Sequence, residues 1–163
     1  MILNKQKKVR LATRPLREFL RKTQRELNIA NSEITIALVS DDEIARWNQA
    51  YRSKKGPTDV LSFPAVFGMS HKSPQKTNGA KPGGILGGIA RKRRPAPPEI
   101  LGDIAIAPET AKRYARKNGR SLQAEIRVLM LHGVLHLMGY DHESDTGQMN
   151  RIEQRLRRRL GIA

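Results

Sequence analysis

The sequence predicts a single α+β domain, in which a small mixed β-sheet packs with about five helices and a metal site lies on a buried central helix and the turn after it. Three observations support this prediction. Segments with the alternation of β-strands are interspersed with segments of helical periodicity, and the connections between them are uneven in length. A chain of 163 residues suits one domain with one core. Three of the four histidines also fall close together in one largely apolar segment.

The first half of the chain predicts two helices and two strands. Residues 13–28 place apolar side chains near helical spacing among Arg and Lys, which indicates an amphipathic surface helix. Residues 33–39, EITIALV, alternate and are β-branched, so they predict a strand. Ser40 stands three residues before Glu43, a capping-box pattern, and a helix is expected from there to about residue 50 or 51. A short strand is expected at residues 59–63, between a Gly-Pro pair and a proline that closes it.

The second half predicts a third strand and three further helices. Residues 101–107 read as a strand, and residues 108–117 as a helix with a proline in its first turn. Ser121 is expected to cap a helix that ends at a left-handed glycine. A last helix is expected at about residues 145–160, with apolar residues on one face and five arginines elsewhere.

Residues 68–99 differ from the rest of the domain, which is expected to span residues 1–163. This stretch holds six of the 13 glycines, five of the nine prolines and the run Arg-Lys-Arg-Arg at 91–94. Such a composition predicts a flexible basic insertion. Its two interpretations are a solvated linker and an arm that contacts RNA.

The composition narrows the partners and the kind of site. Thirty-one Lys and Arg against 15 Asp and Glu give a net charge of +16, which favours polyanionic partners such as nucleic acid or an anionic membrane. The absence of cysteine excludes disulfides and thiolate metal sites. Because no segment resembles a signal peptide or a membrane span, a cytoplasmic protein without a membrane partner is expected. With one Trp, three Tyr and three Phe, recognition of a nucleic acid is expected to depend on phosphates and shape more than on an extensive base-stacking platform.

The histidine segment HGVLHLMGYDH is the strongest functional signal. His132 and His136 are four residues apart, so a helix places them on one face, one turn apart. The surrounding residues are apolar almost all round, which predicts a buried helix. A buried imidazole without a partner costs roughly 1–3 kcal/mol, and a shared metal ion would satisfy both rings.

The residues after that helix supply the third expected ligand. Gly139 lets the chain leave the helix in a left-handed conformation, so that His142 can return toward the same ion. Three protein ligands with one open position are typical of catalytic zinc. One zinc ion per chain on His132, His136 and His142 is therefore expected, and the alternative is that the histidines are core residues bonded to the backbone.

The histidine spacing also matches the zinc pattern of metzincin peptidases at every position but one. Those enzymes carry a glutamate general base where this chain has Gly133. A zinc peptidase needs that carboxylate, so the peptidase interpretation is weakened. A glycine within a helix indicates either close approach of a substrate or backbone, or packing against a neighbouring strand.

Three segments together resemble a known family. HGVLHLMGYDH, YRSKKGPTDVLSFP at residues 51–64 and LGDIAI at residues 101–106 are similar to the YbeY endoribonucleases, in the same order over most of the chain. The resemblance implies an α+β fold and a zinc-dependent endoribonuclease directed at single strands. It also implies a role in ribosomal RNA maturation, including 16S rRNA 3′ end processing, and in ribosome quality control. The long basic stretch between residues 64 and 101 departs from the usual family pattern.

The resemblance also assigns roles to individual residues. It matches the three histidines to the zinc ligands and Arg52 to the family's functional arginine. The resulting hypothesis is that zinc activates the nucleophile or the scissile phosphate while Arg52 holds that phosphate. RNA, in the form of ribosomal RNA precursors and ribosomal particles, is the expected partner, and DNA is not. Two alternatives stay open: a zinc metallopeptidase, and a non-catalytic RNA-binding ribosome-assembly factor with structural zinc.

Overall fold

The computed structural model describes residues 1–65, 98–140 and 147–162. Within these ranges four strands and five helices follow one another along the chain, which confirms the predicted α+β class. In order they are β1 (Ile2–Asn4), α1 (Thr13–Glu26), β2 (Glu33–Leu38), α2 (Asp41–Arg52), β3 (Val60–Pro64), β4 (Ile100–Ile106), α3 (Pro108–Lys117), α4 (Leu122–Leu137) and α5 (Gln148–Leu160). The predicted basic insertion lies almost entirely outside the described residues and stays a prediction.

The strands form one mixed sheet in the order β1-β2-β4-β3. The first three strands of this order run parallel, and β3 pairs antiparallel with β4 at the edge. Strand β1 was not predicted, because it has only three residues and its ladder partner β2 lies about 30 residues away, with Ile2 opposite Ile36. The sheet therefore has one more strand than the sequence pattern indicated.

The β3 edge ends differently from the prediction. Pro64, expected to close the strand, is its last paired residue and lies opposite Gly102. An edge strand accommodates proline because its outer side needs no ladder donor. The following amide, that of Ala65, donates to the Leu101 carbonyl at 2.9 Å. Gly102 has φ +137°, and a Cβ there would lie 2.2 Å from the Phe63 carbonyl oxygen, so only glycine fits this close approach.

The main core lies between one face of the sheet and helices α1, α4 and α5. Helix α4 is apolar almost all round and buried on most of its positions, as predicted. The fully buried side chains of this core include Leu16, Ile36, Ile104, Ile126, Leu131 and Met149. A smaller cluster on the other face packs α2 against β3 and β4 through Val39, Ile44, Leu61, Ala105 and Ala107. Alternate residues of β4 thus serve two separate cores.

Two helix starts confirm the predicted caps. The Ser40 hydroxyl accepts from the Glu43 amide at 3.2 Å, and the Ser121 hydroxyl accepts from the Ala124 amide at 3.1 Å. Helix α5 begins at Gln148, later than expected, because Gly147 at φ +84° is left-handed and cannot be its first helical residue. Among the described helices, none combines the length and the apolar character needed to cross a bilayer.

Candidate active site

Two of the predicted metal ligands lie side by side near the end of α4. The Nε2 atoms of His132 and His136 are 3.1 Å apart, and their ring centroids are separated by 4.6 Å. The spacing of four residues placed both rings on the same helical face, as the sequence predicted. The two cleft-side nitrogens therefore converge on one point.

A carboxylate from α5 holds His132 in place. Glu153 lies on the apolar face of α5, is buried, and binds the His132 Nδ1 atom at 3.0 Å through one oxygen. Arg157 donates to the other oxygen. Burial raises the pKa of Glu153, but the hydrogen bond from His132 and the charge of Arg157 together outweigh it and hold the pKa below its ordinary value.

The ionised state of Glu153 fixes the proton on the imidazole. A carboxylate can only accept hydrogen bonds, so Nδ1 of His132 must donate and carry the ring proton. The other ring nitrogen, Nε2, faces His136. This carboxylate–histidine pairing is the usual support behind a metal-binding imidazole.

The histidines are less buried than expected. The side chain of His132 keeps 26% of its exposure, and His136 is also half-buried. Helix α4 emerges from the core at this end, and both rings line an open cleft of about 460 Å³. Solvent can therefore reach the imidazoles, and the case for a metal rests on their convergence instead of on the cost of burial.

The donor pair fits a zinc ion. Two imidazole nitrogens on one tetrahedral zinc lie about 3.3 Å apart at the usual bond length, close to the observed separation of 3.1 Å. His142, the third predicted ligand, falls within residues 141–146, outside the described residues. Among the residues that the structure does describe, no group of three or more metal-binding side chains is found. The three-histidine site thus stays a prediction, of which the pair on α4 is geometrically suitable.

Arg52 lies in the same cleft as the two histidines. It is the last residue of α2, which ends at Ser53 in the left-handed conformation at φ +54°. Buried Asn48 holds the following loop by donating to the Gly56 carbonyl at 3.0 Å. Arg52 is exposed and lines the cleft, where its guanidinium can reach a bound anion.

Comparison with known proteins identifies the family of the chain. Residues 1–161 match the family profile described as Endoribonuclease YbeY. The chain belongs to the YbeY family. Three relatives named Endoribonuclease YbeY support the assignment. The protein from Koribacter versatilis is 35% identical over 162 residues, which cover 99% of this chain and 86% of the relative. The protein from Heliobacterium modesticaldum is 35% identical over 136 residues, which cover 82% of this chain and 73% of the relative.

A third relative and a solved structure complete the comparison. The YbeY endoribonuclease of Aquifex aeolicus is 38% identical over 117 residues, covering 72% of this chain and 61% of the relative. A Thermotoga maritima protein solved in solution aligns with a TM-score of 0.57, at 24% identity, over 98% of this chain and 89% of that protein. That structural likeness supports the fold alone.

Gly133 of this YbeY family member has a packing role. A Cβ at this position would lie 2.9 Å from both Cδ1 and Cγ2 of Ile104, so the absent side chain lets α4 lie directly on β4. The sequence left open whether a substrate or a neighbouring strand approaches here, and the strand does so. A glutamate at position 133 would collide with the sheet, and the position offers no room for the general base of a metzincin peptidase.

Other polar side chains near the motifs lie at different distances from the two histidines. Asp103 lines a separate groove on the opposite face of the sheet. Ser62 lines the cleft and its hydroxyl contacts the Gly133 carbonyl at 3.5 Å, while the Thr58 hydroxyl donates to Asp59. Asp141 lies outside the described residues.

Sequence reasoning missed Glu153. The residue interrupts the apolar stripe of α5 formed by Met149, Leu156 and Leu160, and a carboxylate on the core-facing side of an amphipathic helix signals a buried partner. That signal was present in the sequence. The identity of the partner was not, because α4 and α5 meet only in the folded chain.

Proposed function

We propose that this protein is a zinc-dependent endoribonuclease that cleaves single-stranded RNA during ribosomal RNA maturation, including 16S rRNA 3′ end processing, and in ribosome quality control. Membership of the YbeY family supports an RNA-cleaving hydrolase. The observation that carries the proposal is the convergence of His132 and His136 in one cleft with Arg52. Ribosomal RNA precursors and ribosomal particles are the proposed partners, and the cytoplasm is the proposed location.

The histidines and Glu153 would form the metal-binding part of the site. His132 and His136 would hold zinc, with His142 as the proposed third ligand. A bound zinc ion supplies Lewis-acid chemistry to a phosphodiester. Glu153 accepts a hydrogen bond from Nδ1 of His132, so Nε2 would be the nitrogen that binds the ion.

Arg52 would hold the phosphate that is cleaved. A guanidinium can donate two parallel hydrogen bonds to the nonbridging oxygens, and it remains charged at any physiological pH. Charge accumulates on those oxygens as the phosphodiester is attacked, and a fixed cation there lowers the barrier. The net charge of +16 would add a salt-dependent attraction for the RNA backbone.

The decisive experiment joins metal analysis of the purified protein to cleavage of a labelled single-stranded RNA before chelation, after chelation and after zinc is restored. We expect close to one zinc per chain, loss of cleavage on chelation and recovery with zinc. Full cleavage by a metal-free protein would contradict the proposal. A quenched peptide substrate in the same assay tests the peptidase alternative, which the packing of Gly133 does not favour.

The role of Arg52 is tested by Arg52→Ala, with Arg46→Ala as the matched control on the exposed side of the same helix. Removing a donor to developing charge typically costs about 10²–10³ in kcat. We expect a loss of that order at position 52, with zinc content unchanged, and little change at position 46. Full activity in Arg52→Ala would remove this arginine from the mechanism.

One variant separates the nuclease from the assembly factor with structural zinc. In a nuclease, His132→Ala abolishes cleavage and lowers zinc affinity. In an assembly factor, the zinc-loaded wild-type protein already shows no cleavage, and the same variant loses stability. Salt dependence of RNA binding does not distinguish the two, because the basic surface is common to both.

A further inference from the structure

A second groove lies on the face of the sheet opposite α4, beside an aromatic cluster. Trp47 and Tyr51 are four residues apart on α2, and both contact Phe63 of β3 edge to face. The ring centroids are 6.1 Å apart for Trp47–Phe63 and 5.2 Å for Tyr51–Phe63. The chain has one Trp, three Tyr and three Phe, so a large share of its aromatic side chains meets at this point.

Two small side chains are among the residues that line the groove. Ala37 and Ala105 lie on the two central strands, and the groove over them encloses about 370 Å³. Lys5 lies at its far side from the aromatic cluster, on the segment after β1. A groove that runs over small side chains and has aromatic rings at one side suits a planar ligand of the size of a nucleobase.

The groove adjoins the candidate active site at the β3 edge of the sheet. Tyr51 and Phe63 line both the histidine cleft and this groove. Tyr51 is 70% exposed, an unusual exposure for a large aromatic side chain, and its neighbour in the chain is Arg52. A polymer lying in the cleft can therefore continue over the β3 edge into the groove and pass the Tyr51 ring on the way.

The charges around the aromatic cluster favour an anionic polymer. Arg52, Lys54 and Lys55 are exposed next to Tyr51, and Lys5 lies across the groove. Asp103 is the one carboxylate among the described residues that line this groove. Aromatic rings set among cations are typical of single-strand binding, where bases stack and the backbone is neutralised.

We propose that the groove is a base-binding subsite for the RNA substrate, in which an unpaired nucleobase next to the cleaved phosphate stacks on Tyr51 beside Phe63 and Trp47. The subsite rests on the proposed ribonuclease function and extends it, because it places the RNA strand outside the histidine cleft. Stacking tolerates any base, so the subsite selects single strands over duplexes and does not select sequence. The small number of aromatic residues limits the platform to one or two bases.

Trp47 gives a direct probe, since it is the only tryptophan of the chain. Titration of the chelator-treated wild-type protein with a short single-stranded RNA should change the tryptophan emission saturably, and a duplex of the same sequence should change it much less. Chelation prevents cleavage during the measurement. Saturable RNA binding, followed by fluorescence anisotropy of a labelled strand, without any change in tryptophan emission would overturn the subsite.

A double-mutant cycle, in which one change is made in the protein and the other in the RNA, tests whether a base stacks on Tyr51. Tyr51→Ala is compared with wild type, with Tyr51→Phe, which keeps the ring, and with Tyr114→Ala, a matched tyrosine that is 45% exposed on α3. Dissociation constants are measured for an RNA with all bases present and for a set in which one base at a time is replaced by an abasic residue.

We expect Tyr51→Ala to weaken binding about tenfold, the effect of losing one stacked base, while Tyr51→Phe and Tyr114→Ala bind like wild type. One abasic position should weaken wild type by a similar factor and Tyr51→Ala hardly at all. If abasic substitution weakens both proteins equally at every position, Tyr51 does not stack on a base. Cleavage is measured separately with zinc present. If the protein cleaves RNA but Tyr51 and the bases show no coupling, the proposed function stands and the subsite is refuted.

Discussion

Replacement of Glu153 by glutamine should weaken metal binding through His132. The carboxylate now accepts from two donors, His132 Nδ1 and Arg157. An amide offers one accepting oxygen and one donating nitrogen, so it cannot satisfy both donors. If the oxygen stays with Arg157, the amide nitrogen faces Nδ1, and His132 must move its proton to Nε2. That nitrogen is the one expected to hold the metal.

The size of the effect follows from these contacts. Loss of the carboxylate behind a metal-binding imidazole typically lowers metal affinity by about 10–100-fold, which is about 1.4–2.7 kcal/mol. The hydrogen bond from Arg157 then goes to a neutral oxygen, and the one from His132 is replaced by a bond from the neutral amide, at a cost of roughly 1 kcal/mol each. Because His132 and Arg157 are partly exposed, solvent reduces that contribution, and we expect a loss of about 1–2 kcal/mol in the free energy of unfolding.

The assay is competition for zinc with a chelator of known affinity, together with urea unfolding of the metal-free protein. Glu26→Gln is the matched control, because the Glu26 side chain of α1 is 26% exposed and forms an ion pair at 2.8 Å with Arg159, which lies on α5 like Arg157. The control should keep the zinc affinity of wild type and lose at most about 1 kcal/mol of stability. Equal zinc affinity in Glu153→Gln and Glu26→Gln would refute the proposed role of Glu153.

Three further predictions concern stability in urea. Gly133→Ala should lower the free energy of unfolding by about 1 kcal/mol, because overpacking against Ile104 costs about 1–3 kcal/mol and exceeds the gain in helix propensity. Adding Ile104→Val should restore part of the lost stability. A Gly133→Ala protein more stable than wild type would contradict the close packing. Gly102→Ala should lower the free energy of unfolding by about 2–4 kcal/mol, because the new Cβ meets a carbonyl oxygen of β3. Gly119→Ala is the control: a Cβ there meets no atom within 4 Å, so the variant should lose only about 1–2 kcal/mol for its left-handed backbone. Equal losses in the two variants would show that the clash does not contribute. In the chelated protein, the lowered pKa of Glu153 means that the ionised carboxylate stabilises the fold fully above its ordinary pKa of 4.5, and that this stabilisation is lost as the pH falls through the folded-state pKa. The difference in free energy of unfolding between wild type and Glu153→Gln should therefore shrink in acid. A difference that grows in acid would contradict this sign.

The features that the sequence predicted well are those determined by neighbouring residues. Ser40 and Ser121 cap their helices because the amide that each hydroxyl accepts from lies three residues along the chain. His132 and His136 converge because one helical turn separates them. In each case, the local backbone conformation is sufficient to fix the geometry.

The features that were missed depend on residues far apart in the chain. Strand β1 exists only because β2 offers it a parallel ladder, and three residues carry too weak a pattern to show it. Glu153 could be recognised as a carboxylate on an apolar stripe, but its partner on α4 could not. Part of the aromatic cluster could be inferred from the sequence, because Trp47 and Tyr51 are four residues apart on one helical face. Phe63 could not, because it joins them only through the tertiary packing of β3 against α2.

The edge pairing of β3 with β4 has a practical consequence for handling the protein. The ladder continues to the amide of Ala65, which donates to the Leu101 carbonyl, so the sheet itself holds the chain just before residue 66 next to the chain a few residues after residue 97. The entropy of closing a loop between neighbouring ends grows only slowly with loop length. This junction is therefore a suitable splice point, where an engineer can shorten the connection, exchange it for that of a relative or insert a reporter domain while the strand register is preserved.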